Sequence, residues 1–177
     1  MIKPIVGAKA EVLRKKAKSV KVFDKKLEAL ARDLVDTLSS QNEPDGVGLA
    51  GPQIDKSQAI FAALIDKTIR IFVNPIITKT ENPPLTATEK KKADILEGCL
   101  SLINYYGPVE RNKAVTLQYQ DIQGQKHTEV FRGLSAQIIE HEVDHLNGVL
   151  FVDRILEQKK PLYKIDPKTD QWEEVEL

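Results

Sequence analysis

The residues best suited to chemistry in this chain lie in Ile138-Ile139-Glu140-His141-Glu142-Val143-Asp144-His145-Leu146-Asn147-Gly148, where two of its three histidines stand four apart in an HExxH pattern. Residues four apart share one face of an α-helix, so both imidazoles can reach a single metal ion. Glu142, beside the first ligand, can reach a water on that ion. HExxH also occurs on ordinary amphipathic helices, so the decisive question is the third ligand. A catalytic site of this type uses three protein ligands and keeps one position for water. The longer pattern HExxHxxGxxH is followed as far as Gly148, but Phe151 then occupies the place of its third histidine. The remaining candidates are the downstream carboxylates Asp153, Glu157 and Asp166, and the single cysteine, Cys99, within Glu97-Gly98-Cys99-Leu100-Ser101. Cys99 is the better one, because a thiolate and two imidazoles make a tetrahedral site for zinc or ferrous iron.

Several elements must position these groups. Leu134, Ile138, His141 and His145 form one helical stripe and Ile139, Val143 and Leu146 a neighbouring one, which predicts a buried helix with Ser135 as N-cap and Asn147-Gly148 as its stop. A second amphipathic helix is expected from Asp24 to about Ser40, with Asp24 as N-cap. Ahead of it, residues 1–22 read as largely extended, anchored by Ile2, Ile5, Val6, Val12 and Leu13. The run Gly46-Val47-Gly48-Leu49-Ala50-Gly51-Pro52-Gln53 has no helical or strand period, and glycine there lets backbone approach a ligand. It is not a phosphate loop, since neither GxxxxGK[ST] nor GxGxxG is satisfied.

Gln58 to Ile65 and Ile69 to Val73 read as a hairpin across Asp66-Lys67-Thr68, with a further short strand, Ile76 to Thr78, after Asn74-Pro75. Residues 80–93, including Lys90-Lys91-Lys92, read as an exposed loop whose lysines are a solvated face or, more sharply, a contact for ribosomal RNA. Ile95 to Leu102 forms a strand carrying Cys99, Val115 to Gln120 and Lys126 to Phe131 a hairpin, and the tail beyond Gln158 a final hairpin. The expected fold is α+β, antiparallel strands around a central helix carrying HExxH, with an additional N-terminal helix.

With 177 residues, 41% of them hydrophobic, the chain is expected to form one domain over residues 1–177. Acidic and basic residues balance at 26 each, which provides no overall field for DNA or an anionic membrane. No apolar run is long enough to span a bilayer, and no secretory apolar core opens the sequence, so a cytoplasmic location is expected. One cysteine cannot make an internal disulfide.

Taken together, GVGLAGPQ at 46–53, EGCLS at 97–101 and HEVDH at 141–145 resemble, in order, the GxGxAAxQ, EGCLS and HExDH motifs of the peptide deformylases, and the likeness extends from the opening Ile-Val to Arg154-Ile155. The resemblance implies an enzyme that removes the formyl group from N-terminal formylmethionine, releasing formate. It implies one divalent metal ion held by Cys99, His141 and His145, with ferrous iron as the native ion and zinc, nickel or cobalt as alternatives. Glu142 would be the general acid and base, and Gln53 with the backbone N–H of Leu100 would bind the oxyanion. Val47, Gly48, Leu134 and Ile138 would form the methionine pocket, with Ile95 closing it. Nascent formylmethionyl peptides are the implied partners, with ribosome association a further expectation.

The sequence departs from the family pattern at Gly51, usually alanine, and at Glu140, usually glutamine. The first would loosen the loop carrying Gln53, and the second would alter the charge near the metal. An alternative reading is a deformylase-like metalloprotein with a changed substrate or no catalytic role. A metallopeptidase cutting internal bonds is a further rival, opposed by the missing third histidine and by EGCLS.

Overall fold

A computed structural model describes residues 1–41, 46–88 and 96–176. Two helices cover opposite faces of a five-stranded sheet, and the sequence shows why. Strand β2, Ile60–Ile65, is apolar at nearly every position, as a strand buried on both faces must be. Its Phe61, Ala63 and Ile65 pack with Ala136, Ile138, Ile139 and Leu146, whereas Ile60 and Ala62 point the other way, towards Leu27, Leu30, Leu34 and Leu38. The first set lies under helix α2, Leu134–Leu146, and the second under helix α1, Lys25–Ser39.

The sheet has the order β1-β2-β3-β6-β7 and is antiparallel throughout. Its other strands are β1 at Gly48–Ala50, β3 at Thr68–Glu81, β6 at Ala114–Gln120 and β7 at Lys126–Arg132. A second, four-stranded sheet has the order β4-β5-β8-β9, with β4 at Glu97–Cys99, β5 at Leu102–Gly107, β8 at Leu162–Ile165 and β9 at Trp172–Val175. A short helix α3, Phe151–Gln158, closes a smaller core of Val109, Phe151, Ile155 and Leu162 against it. Both hairpins expected in the second half of the chain, 114–132 and 162–175, are present. Among the described residues no helix is long and apolar enough to cross a membrane.

Three local expectations need correction. Helix α2 begins at Leu134 with Gly133, not Ser135, in the N-cap position, because the chain leaves β7 through a backbone turn with φ 56°. Asn74-Pro75 does not end a strand. Asn74 sits at φ 48° in a bulge, where the pairing shifts between Val73↔Gln120 and Ile76↔Gln118. Its amide replaces the interrupted ladder by bonding to both backbone groups of Val20 and to Gln120 Oε1, and Pro75 falls where a missing N–H is tolerated. Strand β3 therefore runs on to Glu81, into the segment read as a loop, while Lys90, Lys91, Lys92 and Ile95 lie outside the described residues. Of the N-terminal anchors, Leu13 is fully buried but Ile2 is 65% exposed. Helix α3 was not anticipated; its buried residues are only Phe151 and Ile155, four apart, too short a signal to stand out.

Asp24 accepts hydrogen bonds from the Lys26 and Leu27 amides at 2.9 and 3.1 Å, capping α1 as expected. Asp24→Ala should lower stability by about 1 kcal/mol in urea unfolding, with an unchanged denaturant slope; a loss below 0.3 kcal/mol would show that packing alone fixes that terminus.

Candidate metal centre and active site

Helix α2 presents His141 and His145 one turn apart, ring centroids 4.8 Å from each other, on its face towards β4. Strand β4 ends at Cys99, whose Sγ lies 3.2 Å from His145 Nε2. The candidate ligand atoms of Cys99, His141 and His145 all fall within 4.8 Å of one another, and among the described residues no other group of histidine, cysteine and carboxylates does the same. The carboxylates considered as third ligands are engaged elsewhere. Asp153 caps α3 through the Leu150 amide and pairs with Arg14, Glu157 pairs with Arg154, and Asp166 accepts the Lys168 amide in the final hairpin turn. His127 is stacked on Tyr119, 2.7 Å from Asp121.

The donor set fits a metal ion. Burial pushes the Cys99 thiol up, but the charges of and hydrogen bonds from His145 and His141 together outweigh burial and hold it well below its ordinary value. A cysteine held as thiolate between two imidazoles is a ready ligand. His141 Nδ1 is 2.7 Å from Glu97 Oε1, so a proton on Nδ1 would be donated to Glu97 and Nε2 would be left available to a metal ion.

Glu142 is 2% exposed, and its Oε2 has no hydrogen-bond partner among the described residues. Burial pushes its carboxyl up to about 7, against the lowering effect of His141 and His145. The room for that carboxylate is made by Gly48. A Cβ there would stand 2.1 Å from Glu142 Oε1, so only glycine lets β1 pass this close. After β1 the chain makes a 3-10 turn, Gly51–Ile54, which buries Gln53. Gln53 Oε1 accepts the Ala50 amide at 2.8 Å, so the opposite end must donate, and Nε2 faces Ser101 Oγ at 3.2 Å and Cys99 Sγ at 3.5 Å.

These groups line one cleft of about 290 Å³ between β1 on one side and β4 and β5 on the other. Of the residues expected there, Val47, Gly48, Gln53, Cys99, Leu100, Leu134, Ile138, His141 and Glu142 all line it. His145 lies deeper, 1% exposed, and Ile95 is outside the described residues. Leu102, Ile103, Tyr105 and Tyr106 of β5 also line the cleft, a role that their sequence does not signal.

A larger omission is the support behind the ligands. Arg111 donates to both oxygens of Glu97 at 3.0 and 2.7 Å and to Asp144 Oδ2 at 2.6 Å, while Arg154 makes a two-bond contact with the same Asp144. Glu97 and Asp144 lay inside the recognised motifs, which was the available signal; Arg111, in an unremarked Glu110-Arg111-Asn112 segment, offered none. Burial raises the Glu97 carboxyl, but His141 and Arg111 outweigh it and hold Glu97 down to about 2.

Both departures change meaning in this setting. Glu140 accepts from the Asn112 backbone and side-chain nitrogens at 2.8 and 2.6 Å, so its carboxylate is engaged by the segment carrying Arg111. Gly51 does not loosen its loop. A Cβ at this position would lie 2.8 and 2.9 Å from the carbonyls of Gln58 and Lys56, so the backbone is closely packed there.

Residues 2–161 match the family model for polypeptide deformylase. The peptide deformylase of Pseudothermotoga lettingae is 42% identical over 156 residues, 88% of this chain and 84% of that protein. The Thermus thermophilus peptide deformylase structure superposes with a TM-score of 0.76 at 35% identity, covering 89% of this chain and 88% of that one. The Thermotoga maritima peptide deformylase structure also gives 0.76, at 34% identity, covering 87% and 97% respectively.

The Glu97 contact yields a prediction. Glu97→Gln keeps the shape but removes the carboxylate facing His141, and should weaken metal affinity by roughly ten- to a hundredfold in competition with a chelator; affinity within threefold of the parent in a folded variant would assign Glu97 to structure alone.

Proposed function

The chain belongs to the polypeptide deformylase family, and on that premise we propose how its residues divide the work of hydrolysing a formyl amide. The protein is a metal-dependent hydrolase that removes the formyl group from N-formylmethionyl peptides and releases formate. The observation that carries the assignment to this site is the convergence of Cys99, His141 and His145 to within 4.8 Å, beside a buried Glu142.

In this reading Cys99, His141 and His145 hold one divalent cation, which when bound polarises the carbonyl and acidifies water. Glu142 takes a proton from the attacking water as its oxygen bonds to the formyl carbon. Its deep burial supports that role, since a carboxyl raised to about 7 is matched to proton transfer at neutral pH. The negative charge arriving on the former carbonyl oxygen is met by Gln53 Nε2 and the Leu100 amide. One such donor is worth about 3 kcal/mol, and the Ala50 bond that fixes Gln53 spares it reorientation at the moment of reaction. When the C–N bond breaks, Glu142 passes its proton to the departing amine, leaving formate and a free N-terminal methionine.

Val47, Gly48, Leu134 and Ile138 are the proposed methionine pocket, Ile138 being 5% exposed at its floor. Ferrous iron is the proposed native ion, because one thiolate and two imidazoles suit it as well as zinc, nickel or cobalt, and supply then decides. Residues 1–177 are proposed as one catalytic domain in which α2 is the central helix and α1 the supporting one. The cytoplasm, at the ribosome, is the proposed place where the formylmethionyl chains are met.

Glu142→Gln should retain one equivalent of metal while formate release from formyl-Met-Ala-Ser falls by at least a thousandfold; activity within tenfold of the parent would name another base. Ile138→Trp should raise KM by more than tenfold with kcat changed less than threefold, and unaltered kinetics in a folded variant would remove Ile138 from the pocket.

A further inference from the structure

The hairpin formed by β8 and β9 lies beyond residue 161, where the family match ends, yet β8 pairs with β5, whose Tyr105 and Tyr106 line the cleft. Tyr106 lines the cleft, and its ring lies over Gly98 of β4, 2.6 Å from where a Cβ would stand. The Tyr106 backbone pairs with Tyr163 of β8, and its ring meets the indole of Trp172, ring centroids 5.4 Å apart at 51°. Trp172 is nonetheless 49% exposed, and Ile103, which lines the same cleft from β5, is 55% exposed. Through Tyr106 the cleft is thus linked to a half-exposed indole on β9.

We propose that this hairpin lengthens the substrate cleft, with Trp172 and Tyr106 receiving an apolar or aromatic side chain of the peptide downstream of its formylmethionine. The inference rests on the deformylase reading, which supplies the occupant: a peptide whose formyl end is at Cys99 and whose chain leaves the cleft along β5 passes over Tyr106 and Trp172. An extended peptide advances roughly 3.3 Å per residue and neighbouring strands are roughly 4.8 Å apart, so Trp172 meets about the third residue after the methionine. The hairpin is a selectivity device for longer substrates, and Trp172 acts by binding, not by chemistry.

The test compares formyl-Met-Ala-Ser-Phe with formyl-Met-Ala-Ser-Ser on the metal-loaded full chain. The parent should prefer the phenylalanine peptide by about five- to tenfold in kcat/KM, the range an aromatic contact supplies. Trp172→Ala should bring that ratio close to one, mainly through KM, and Trp172→Phe should restore most of it. Because Trp172 is the sole tryptophan, its emission reports occupancy without turnover. The product Met-Ala-Ser-Phe should shift it to the blue in a saturable way, and Met-Ala should not. An unchanged ratio in Trp172→Ala, or an emission blind to the long product, overturns the inference. A shift that follows protein concentration alone also overturns it, because a second copy then covers this face. Absence of formate release from every peptide by the parent would instead count against the deformylase reading, and the emission measurement would still decide whether Trp172 binds peptide.

Discussion

Arg111 is the joint on which the site depends. Its side chain is 7% exposed and lies between two buried carboxylates, Glu97 at 6% and Asp144 at 11%. One guanidinium thereby ties the end of the second sheet to the helix packed on the first. A fork of fixed donors can hold two carboxylates in a set geometry, which a lysine ammonium cannot. Removing either carboxylate or the cation would strip a buried charge of part of its pairing, with Arg154 left to Asp144 and His141 left to Glu97. Cys99 is two residues from Glu97, and His145 is adjacent to Asp144, so the ion pairs bear on the separation of these two candidate ligands as well as on the fold.

The rest of the architecture serves the same end by excluding water. Helix α2 carries Glu142, Asp144 and His145 into the interior, which a helix can do only if its flanks bury enough apolar surface. Ala136, Ile138, Ile139 and Leu146 provide that surface against Phe61, Phe72, Val115 and Leu117 of the five-stranded sheet. On the opposite face α1 closes the sheet with a row of leucines, so β2 is held from both sides and the turn bearing Gln53 is anchored at its base. The dry surroundings that result raise Glu142 towards neutrality and strengthen each electrostatic contact in the cleft.

Much of this was legible in the amino-acid sequence, and the boundary between what was and was not is physical. HExxH, EGCLS and the small-residue run announce themselves because coordination and close backbone approach restrict the residue types that work. Helix α1 and the β6–β7 hairpin announce themselves by period. Arg111 does not, because its partners are 14 and 33 residues away and nothing local distinguishes it from a surface arginine. The bulge at Asn74 was misread for a related reason. Asparagine and proline together mark a turn on local grounds, and only the distant groups of Val20 and Gln120 convert it into a continued strand. Gly51 and Glu140 looked like weakened positions in a motif until their neighbours, the carbonyls of Lys56 and Gln58 and the amides of Asn112, were known.

The joint at Arg111 also bears on the order of events in maturation. In small zinc-dependent modules the ion assembles the fold, since nothing else brings the ligands together. Here Arg111 already bridges the two ligand-bearing elements, and Glu97 already orients His141, using atoms of the chain alone. The entropy of bringing β4 to α2 is therefore spent in folding and need not be met again by coordination. The ion pairs of the chain and coordination at its ligand atoms thus act on the same pair of elements, β4 and α2.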